Sequence, residues 1–225
     1  MPRLLGFSIL VIPSLSRDLR TALAYARCSM IDTREVVEFF DRLAPSWDAG
    51  MVRNEAVIAR ILDLGGVVPG AKVLDVACGT GVLIGDYLGR GAAHVTAVDI
   101  TPKMVEIARE KFAGDGRVTI LCGDAQEASF GRFDCILAYN AFPHFSEPEK
   151  LIGALSRQLK PGGRLTVAHG MSREAISAHH RGVTHVSNDL PPAEELATLF
   201  SPFLRVDRVV SDESMYLVSG VVPAL

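Results

Sequence analysis

The sequence has few of the residues that would indicate a secreted or nucleic-acid-binding protein. It contains only four cysteines in 225 residues, and no two of them form a C-x-x-C pair. We therefore expect reduced thiols in the core rather than a disulfide framework. The formal net charge is −3, so the chain also lacks the basic excess that is typical of general nucleic-acid binding.

No transmembrane segment is evident in the sequence. The apolar run at residues 4–12 ends at Pro13, far short of the roughly 20 residues that a membrane-spanning helix needs. Charged residues after the run argue against a secretory signal peptide. We expect residues 1–29 to be a non-essential N-terminal extension, and residues 30–225 to form a single cytoplasmic domain.

The composition indicates one well-packed domain, with 48% hydrophobic and 22% charged residues. Apolar, strand-like runs alternate with helical patterns along the chain. Strands are predicted at residues 72–76, 94–98, 117–121, 133–138, 164–169, 203–210 and 215–222. Helices are predicted at residues 32–44, 54–64, 80–89, 102–112, 147–159, 172–181 and 193–200. This alternation requires a parallel sheet with right-handed crossovers, and the last two strands read as an antiparallel hairpin.

The most informative segment is residues 73–81, Val-Leu-Asp-Val-Ala-Cys-Gly-Thr-Gly, followed by Asp99 at the end of the next predicted strand. A strand, a small-residue turn, a helix and a second strand ending in a carboxylate build a nucleoside-binding crevice. A dinucleotide site would favour a third glycine, but position 84 is isoleucine. Asp75 suits a cationic ligand such as S-adenosyl-L-methionine (SAM) better than a pyrophosphate.

The chain resembles the class I SAM-dependent methyltransferases. Five of its segments match the motifs of that family, in the same order, over roughly residues 70–170. The matching segments are residues 73–81, 98–100, 123–125, 133–140 and 159–163. The cofactor half and residues 40–48 are similar to the quinone-biosynthesis C-methyltransferases. The resemblance implies a SAM-dependent methyltransferase domain with an α/β, Rossmann-like fold. We expect a seven-stranded, mostly parallel sheet with a C-terminal antiparallel hairpin and helices on both faces.

The resemblance also assigns cofactor contacts to particular residues. Asp99 would bind the ribose hydroxyls, Ile100 would pack on adenine, Asp124 and Ala125 would bind the adenine edge, and Asp75 would orient the methionine ammonium. Further cofactor-binding candidates are Ala77, Gly79, Gly81, Met104, Asn140 and Trp47. Each has a structural alternative, for example a helix cap for Asp99, a loop hydrogen bond for Asn140 and core packing for Met104 or Trp47.

Histidines are the candidate catalytic residues. Methyl transfer from a sulfonium needs alignment and a dry site, and a base helps only when the acceptor is an alcohol or a phenol. His144 follows the fourth strand of the core and His169 ends the fifth, with His179 and His180 behind them on a helix capped by Ser172. We expect no metal site, since no H-E-x-x-H motif occurs and adjacent helical histidines diverge by about 100°.

The sequence therefore predicts methyl transfer from SAM to a small-molecule acceptor, with an oxygen, sulfur or carbon nucleophile left open. No nucleic-acid partner and no membrane span are expected, and the oligomeric state is not determined by the sequence. The alternatives are a non-catalytic SAM-binding module and a methyltransferase that acts on a macromolecule. A nicotinamide oxidoreductase is disfavoured by the missing third glycine.

Overall fold

The computed structural model describes residues 31–182 and 184–223, so the predicted N-terminal extension lies outside the described residues. Within these ranges the chain forms one seven-stranded sheet. Its strands are β1 (Lys72–Val76), β2 (His94–Asp99), β3 (Val118–Cys122), β4 (Phe133–Tyr139), β5 (Leu159–His169), β6 (Arg205–Ser211) and β7 (Tyr216–Val221).

The strand order is β3-β2-β1-β4-β5-β7-β6. Strand β1 pairs in parallel with both β2 and β4, whereas β7 pairs antiparallel with β5 and β6. This confirms the predicted Rossmann-like sheet with its C-terminal antiparallel hairpin. The strand order reverses at β1 and β4, where an open α/β sheet forms its ligand crevice at the carboxyl ends of the strands.

Helices cover both faces of the sheet, as predicted. They are α1 (Thr33–Leu43), α2 (Glu55–Leu64), α3 (Ile84–Gly89), α4 (Pro102–Lys111), α5 (Pro148–Ser156), α6 (Arg173–His180) and α7 (Ala193–Phe200). One buried cluster joins the sheet to α5 and α7, with Leu151 and Phe200 at its centre. A second cluster joins it to α2 and α3 through Ile61 and Tyr87. None of the helices in the described ranges is long and apolar enough to cross a membrane.

Two elements differ from the prediction. Helix α3 begins at Ile84 rather than near residue 80, because Gly81 donates to the Cys78 carbonyl and residues 78–83 form a turn. Strand β5 begins at Leu159 rather than at residue 164, and its pairing with β4 shifts register between Phe133 and Cys135. A third correction concerns the cysteines, since Cys122 is exposed while Cys78 and Cys135 are buried free thiols.

The entry segment, defined as residues 31–53, comprises α1 and two short 3-10 turns at Ala44–Ser46 and Asp48–Gly50. Asp41 on α1 accepts a 3.0 Å hydrogen bond from the backbone nitrogen of Lys103 in the first turn of α4. Thr101 occupies the N-cap position of this helix, but its side chain makes no capping hydrogen bond. Asp41 therefore supplies to α4 a capping interaction that usually comes from a neighbouring residue.

Candidate functional site

A cavity of about 600 Å³ lies at the carboxyl ends of β1, β2 and β4. Ten of the eleven predicted cofactor residues line it: Asp75, Ala77, Gly79, Asp99, Ile100, Met104, Asp124, Ala125, Asn140 and Trp47. They come from four strand ends, from α4 and from the entry segment. The fold thus brings together in one place residues that are spread over 94 positions, from Trp47 to Asn140.

Asp99 fastens the glycine-containing turn to the end of β2. Its Oδ2 accepts a 2.8 Å hydrogen bond from the Gly79 nitrogen, and its Oδ1 accepts a 2.9 Å bond from the Thr101 nitrogen. Burial raises the pKa of Asp99, and the two backbone donors oppose that shift. Each oxygen keeps acceptor capacity for a ligand, so the structural and the cofactor interpretations of Asp99 are compatible.

Asp75 lies at the floor of the cavity with a single side-chain partner. The buried Tyr87 hydroxyl donates a 3.2 Å hydrogen bond to its Oδ1. Burial, with smaller contributions from the Asp99 and Asp86 carboxylates, raises the pKa of Asp75 to about 7, while the hydrogen bond from Tyr87 opposes the shift. A cation beside Asp75 would favour its ionised form. Tyr87 is a site residue that was not predicted, although an aromatic residue on the helix after the turn was the available signal.

Glycine is needed at the two turn positions, 79 and 81, for different physical reasons. Gly79 has φ +55° and lines the cavity, where a Cβ would meet only the Trp47 ring, at 3.8 Å. Gly81 does not line the cavity, and a Cβ there would lie 2.7 Å from Cε2 of Phe112. The prediction that Gly81 leaves room for the cofactor therefore needs correction, since it leaves room for Phe112. Ala77 adopts φ +54° without being glycine.

The wall beyond β2 and β3 combines apolar side chains with one carboxylate. Ile100, the buried Met104 and the buried Ala125 form its apolar part. Asp124 accepts a 2.8 Å hydrogen bond from the Gln126 nitrogen through Oδ1, which leaves Oδ2 for a donor in the cavity. This pairing of a flat apolar wall and a carboxylate suits a nucleobase with an amino group.

Asn140 also lines the cavity but has a structural partner. It adopts φ +54°, and its Oδ1 accepts a 2.9 Å hydrogen bond from the Gly170 nitrogen. The side chain thereby joins the ends of β4 and β5. The structural alternative considered for Asn140 is present in the fold, and its cofactor role stays a prediction.

The entry segment closes one side of the cavity. Trp47 packs edge-to-face on Phe40, with ring centroids 5.7 Å apart. The next residue, Asp48, accepts a 2.5 Å hydrogen bond from the buried Thr80 hydroxyl and a 2.9 Å bond from the Lys111 ammonium. These contacts fasten the entry segment to the turn and to α4.

Arg53 is a cavity residue that the sequence analysis did not identify. Its guanidinium binds the Val82 carbonyl at 2.7 Å, the Asp86 carboxylate at 2.9 Å and the Glu55 carboxylate at 2.8 Å. These partners raise the pKa of Arg53. The cation is therefore already neutralised by two carboxylates of the protein.

His144 stands in the cavity wall on a 3-10 turn after β4. Its Nδ1 donates a 2.7 Å hydrogen bond to the Val186 carbonyl, and its ring lies edge-on to Phe40 with centroids 4.9 Å apart. Burial lowers the pKa of His144 to about 4, while the bond to Val186 opposes the shift. The ring is therefore neutral at neutral pH, and Nε2 is the nitrogen left to accept a hydrogen bond.

His169, the second predicted base, does not line the cavity. His169 is the last residue of β5, and its buried ring has its centroid 6.0 Å from that of the Tyr216 ring. Burial lowers the pKa of His169 to about 3. Its Nε2 has no hydrogen-bond partner among the described residues. The structure thus places His144 in the cavity wall and leaves His169 outside it, although both lie at strand ends in the sequence.

The histidines of α6 lie on the His144 side of the cavity. His179 lines the cavity, and His180 forms a 2.8 Å hydrogen bond through Nδ1 with the Ser187 hydroxyl. Ser172 caps this helix by accepting from the Ala175 nitrogen, as predicted. No cluster of three histidine, cysteine or acidic residues within the described part of the chain could hold a metal ion.

The polar and apolar groups of the cavity fit SAM. The buried Asp75 carboxylate suits a cationic ligand group, Asp99 ends β2, and Asp124 stands beside an apolar wall. Together with the strand order, this arrangement defines a SAM-binding site of the Rossmann-like type.

Comparisons with known proteins agree with that geometry. The family model of the methyltransferase domain matches residues 73–163. A ubiquinone biosynthesis O-methyltransferase of Xanthomonas oryzae pv. oryzae is 33% identical over 175 residues, which cover 70% of this chain and 70% of that protein.

Solved structures show the same fold. The complex of DhpI with SAH matches with a TM-score of 0.66 at 17% identity, over 85% of this chain and 96% of that one. A SAM-dependent methyltransferase from Aquifex aeolicus matches with a TM-score of 0.57 at 23% identity, over 73% of this chain and 88% of that one.

The chain belongs to the class I SAM-dependent methyltransferases. It is accordingly a methyltransferase that uses S-adenosyl-L-methionine as its cofactor, and the nicotinamide oxidoreductase alternative is excluded.

Proposed function

We propose that this methyltransferase acts on a hydroxyl group of an uncharged, apolar aromatic small molecule. The observation that carries the proposal is the fixed His144 ring in the cavity wall, whose Nδ1–H is bound by Val186 and whose edge lies against Phe40. The similarity to an O-methyltransferase of ubiquinone biosynthesis supports an oxygen acceptor. A net charge of −3 is also unsuited to a nucleic-acid substrate.

The cofactor half of the cavity would hold SAM through the residues predicted for it. Asp99 would accept from the ribose hydroxyls, Asp124 from the adenine amino group, and Asp75 from the methionine ammonium. Ile100 and Met104 would cover the adenine ring. The bound cofactor supplies a methyl group on a positively charged sulfur, a good leaving group, so the protein contributes mainly alignment and exclusion of water.

The rest of the cavity would hold the acceptor. Its lining is mostly apolar, with Val36, Phe40, Met51, Phe145 and Met171 among its residues. Arg53 is bound by Glu55 and Asp86 and cannot neutralise an acidic acceptor without losing those partners. An acceptor with a carboxylate or phosphate would therefore bury an unpaired charge, which costs several kcal/mol.

His144 would act as the proton acceptor for the hydroxyl. Because Nδ1 carries the hydrogen that binds Val186, the lone pair on Nε2 is free to take the hydroxyl proton. The Val186 carbonyl then stabilises the imidazolium that forms. Since burial lowers the pKa of His144 to about 4, the acidic limb of the pH–rate profile should lie below the ordinary histidine value of about 6.5.

The proposal is tested with SAM and a set of simple acceptors. We expect methyl transfer to 4-methylcatechol, little transfer to its carboxylated analogue 3,4-dihydroxybenzoate, and little to thiophenol. His144→Gln should lower kcat for 4-methylcatechol by roughly 10²–10⁴-fold and leave the dissociation constant of SAM unchanged.

His94→Gln is the matched control, since His94 begins β2 at the opposite end of the sheet from the cavity and binds the Thr119 hydroxyl. It should keep wild-type activity. Full activity of His144→Gln at every pH, or preferential methylation of the thiol, would contradict the proposal.

A further inference from the structure

The three residues 186–188, here called the strap, contact both histidine-bearing elements beside the cavity. The Val186 carbonyl accepts from His144 Nδ1 at 2.7 Å, and the Ser187 hydroxyl binds His180 Nδ1 at 2.8 Å. The Nδ1 atoms of two neighbouring rings are thus held by consecutive residues of one segment. The orientation of one ring is linked to that of the other through the strap.

Asn188 fixes the strap to the loop that carries His144. Its backbone nitrogen donates to the Pro143 carbonyl at 2.8 Å, and its side-chain Nδ2 donates to the Phe145 carbonyl at 3.1 Å. These two contacts flank His144 on either side. Val186 and Ser187 are both buried, so the strap is packed inside the protein beside the loop that carries His144.

The hydrogen bonds of Ser187 indicate the protonation pattern of His180. The hydroxyl also lies 3.3 Å from the Asn188 carbonyl, which can only accept. When the hydroxyl donates there, its oxygen accepts from Nδ1–H of His180, as Val186 does for His144. Nε2 is then the basic nitrogen of both rings.

The three rings lie in series from the partly buried His144 to the exposed His179, which borders both the cavity and solvent. The centroids of His144 and His180 are 5.3 Å apart, and those of His180 and His179 are 5.8 Å apart. His144 and His180 are partly buried, whereas His179 is exposed. Ring nitrogens at such separations can be linked by a hydrogen bond through one bridging water.

We propose that His180, oriented by Ser187, takes the acceptor's proton from His144 and releases it to solvent by way of His179. The inference rests on the proposed function, because only a hydroxyl acceptor delivers a proton to His144. The hydroxyl O–H bond breaks as the new O–CH₃ bond forms, and His144 Nε2 takes that proton. It then moves to His180 Nε2 and on to solvent, which returns His144 to its neutral form, and no oxidant or reductant is needed.

The surroundings of His180 favour its neutral form, so a proton that reaches this ring is readily given up. Burial lowers the pKa of His180, and His179 lowers it further, while Asp189 raises it. His144 also faces it, on the cavity side. His169 is near both rings, but burial keeps its pKa at about 3, so it stays neutral and outside the path.

The first test needs no acceptor and no activity. Long-range ¹H–¹⁵N NMR of histidine-labelled protein reports which ring nitrogen carries the hydrogen. We expect Nδ1–H tautomers for His144 and His180 in the wild type, loss of that tautomer for His180 in Ser187→Ala, and its return in Ser187→Thr. An Nε2–H tautomer of His180 in the wild type would overturn the proposal, even if 4-methylcatechol were not a substrate.

The second test measures kcat for 4-methylcatechol in His180→Ala. We expect a loss of about 10²-fold in a weakly basic buffer, recovered with saturation as imidazole replaces the missing ring. His185→Ala is the matched control, since its exposed ring lies against Phe39 outside the path, and it should show neither effect. An unchanged kcat in His180→Ala, or a loss that imidazole does not relieve, would overturn the relay, whereas no turnover by the wild type would refute the proposed acceptor instead.

Discussion

The Tyr87 hydroxyl donates a hydrogen bond of 3.2 Å to the Asp75 carboxylate, and both side chains are buried beneath the cavity. This pair places an ionisable carboxyl with a pKa of about 7 beside the expected position of a cationic ligand group. The carboxyl is largely protonated below that pH and ionised above it. The cofactor's ammonium should bind the ionised form.

We therefore expect the affinity for SAM to rise with pH and to level off above about 7, by at most about tenfold per pH unit. Tyr87→Phe removes a donor that stabilises the carboxylate, so it should raise the Asp75 pKa and move the transition to higher pH. Isothermal titration calorimetry in buffers of different ionisation enthalpy would measure the proton released on binding. A pH-independent affinity with no proton release would contradict this role of Asp75.

In the protein without SAM, Asp75 should make the free energy of unfolding fall as the pH rises, which is opposite to its effect on SAM affinity. The folded-state pKa of Asp75 is raised above the unfolded value of about 3.9. Its contribution to the free energy of unfolding is therefore fully present at acidic pH and is lost as the pH rises through about 7. Asp75→Asn should flatten this part of the stability profile, measured by chemical denaturation at a series of pH values.

Asp99→Asn should weaken SAM binding by about 2–3 kcal/mol, because the amide nitrogen that replaces one carboxylate oxygen only donates and can accept from neither the Gly79 amide nor a ribose hydroxyl. The circular dichroism spectrum should stay native. Asp115→Asn is a matched control, since Asp115 likewise accepts from a backbone nitrogen two residues later, that of Arg117, but at an exposed turn away from the cavity. Equal SAM affinities of the two variants, by calorimetry, would refute the assignment of Asp99.

The contacts of Asp48 with Thr80 and Lys111 attach the entry segment to the core, and we expect them to contribute unequally to the rate of SAM release. Asp48→Ala and Thr80→Val both remove the hydrogen bond between these residues and should speed SAM release by about fivefold, since such a bond contributes about 1 kcal/mol. Lys111→Met should have little effect, because its ion pair with Asp48 is partly exposed and such pairs contribute little. Stopped-flow displacement of SAM would measure all three rates. Equal rates in the three variants would show that the Thr80 contact does not hold the segment.

Ala77→Gly should stabilise the protein by about 0.5–1 kcal/mol. The left-handed conformation costs a non-glycine residue about 1–2 kcal/mol, more than the entropy that glycine loses on folding. Ala71→Gly is the matched control, because Ala71 is buried and is not among the residues with positive φ, so that substitution should destabilise. Thermal unfolding should separate the two variants by several degrees, and a lower melting temperature for Ala77→Gly would contradict the account.

The parts of the site that the sequence predicted are those fixed by strand ends. Asp75, Asp99 and Asp124 follow predictably from alternating elements, because parallel strands bring their carboxyl ends to one edge of the sheet. Contacts across the sheet have no such local signal. How the helices pack against the sheet is not encoded in any spacing along the chain. Three features depend on tertiary packing of this kind: the Tyr87–Asp75 hydrogen bond, the packing of Phe112 over Gly81 and the burial of His169.

The hydrogen bond from Lys103 to Asp41 gives α4 a terminus that is completed from 62 positions away. If α1 lifts off the core, the Lys103 amide loses its acceptor and becomes open to solvent. The hydrogen-exchange rate of the Lys103 amide therefore reports how often α1 detaches from the core. A slow rate that slows further with SAM bound would mean that the protein traps its cofactor by closing over it, and a fast rate would mean that SAM enters an enzyme that is already half open.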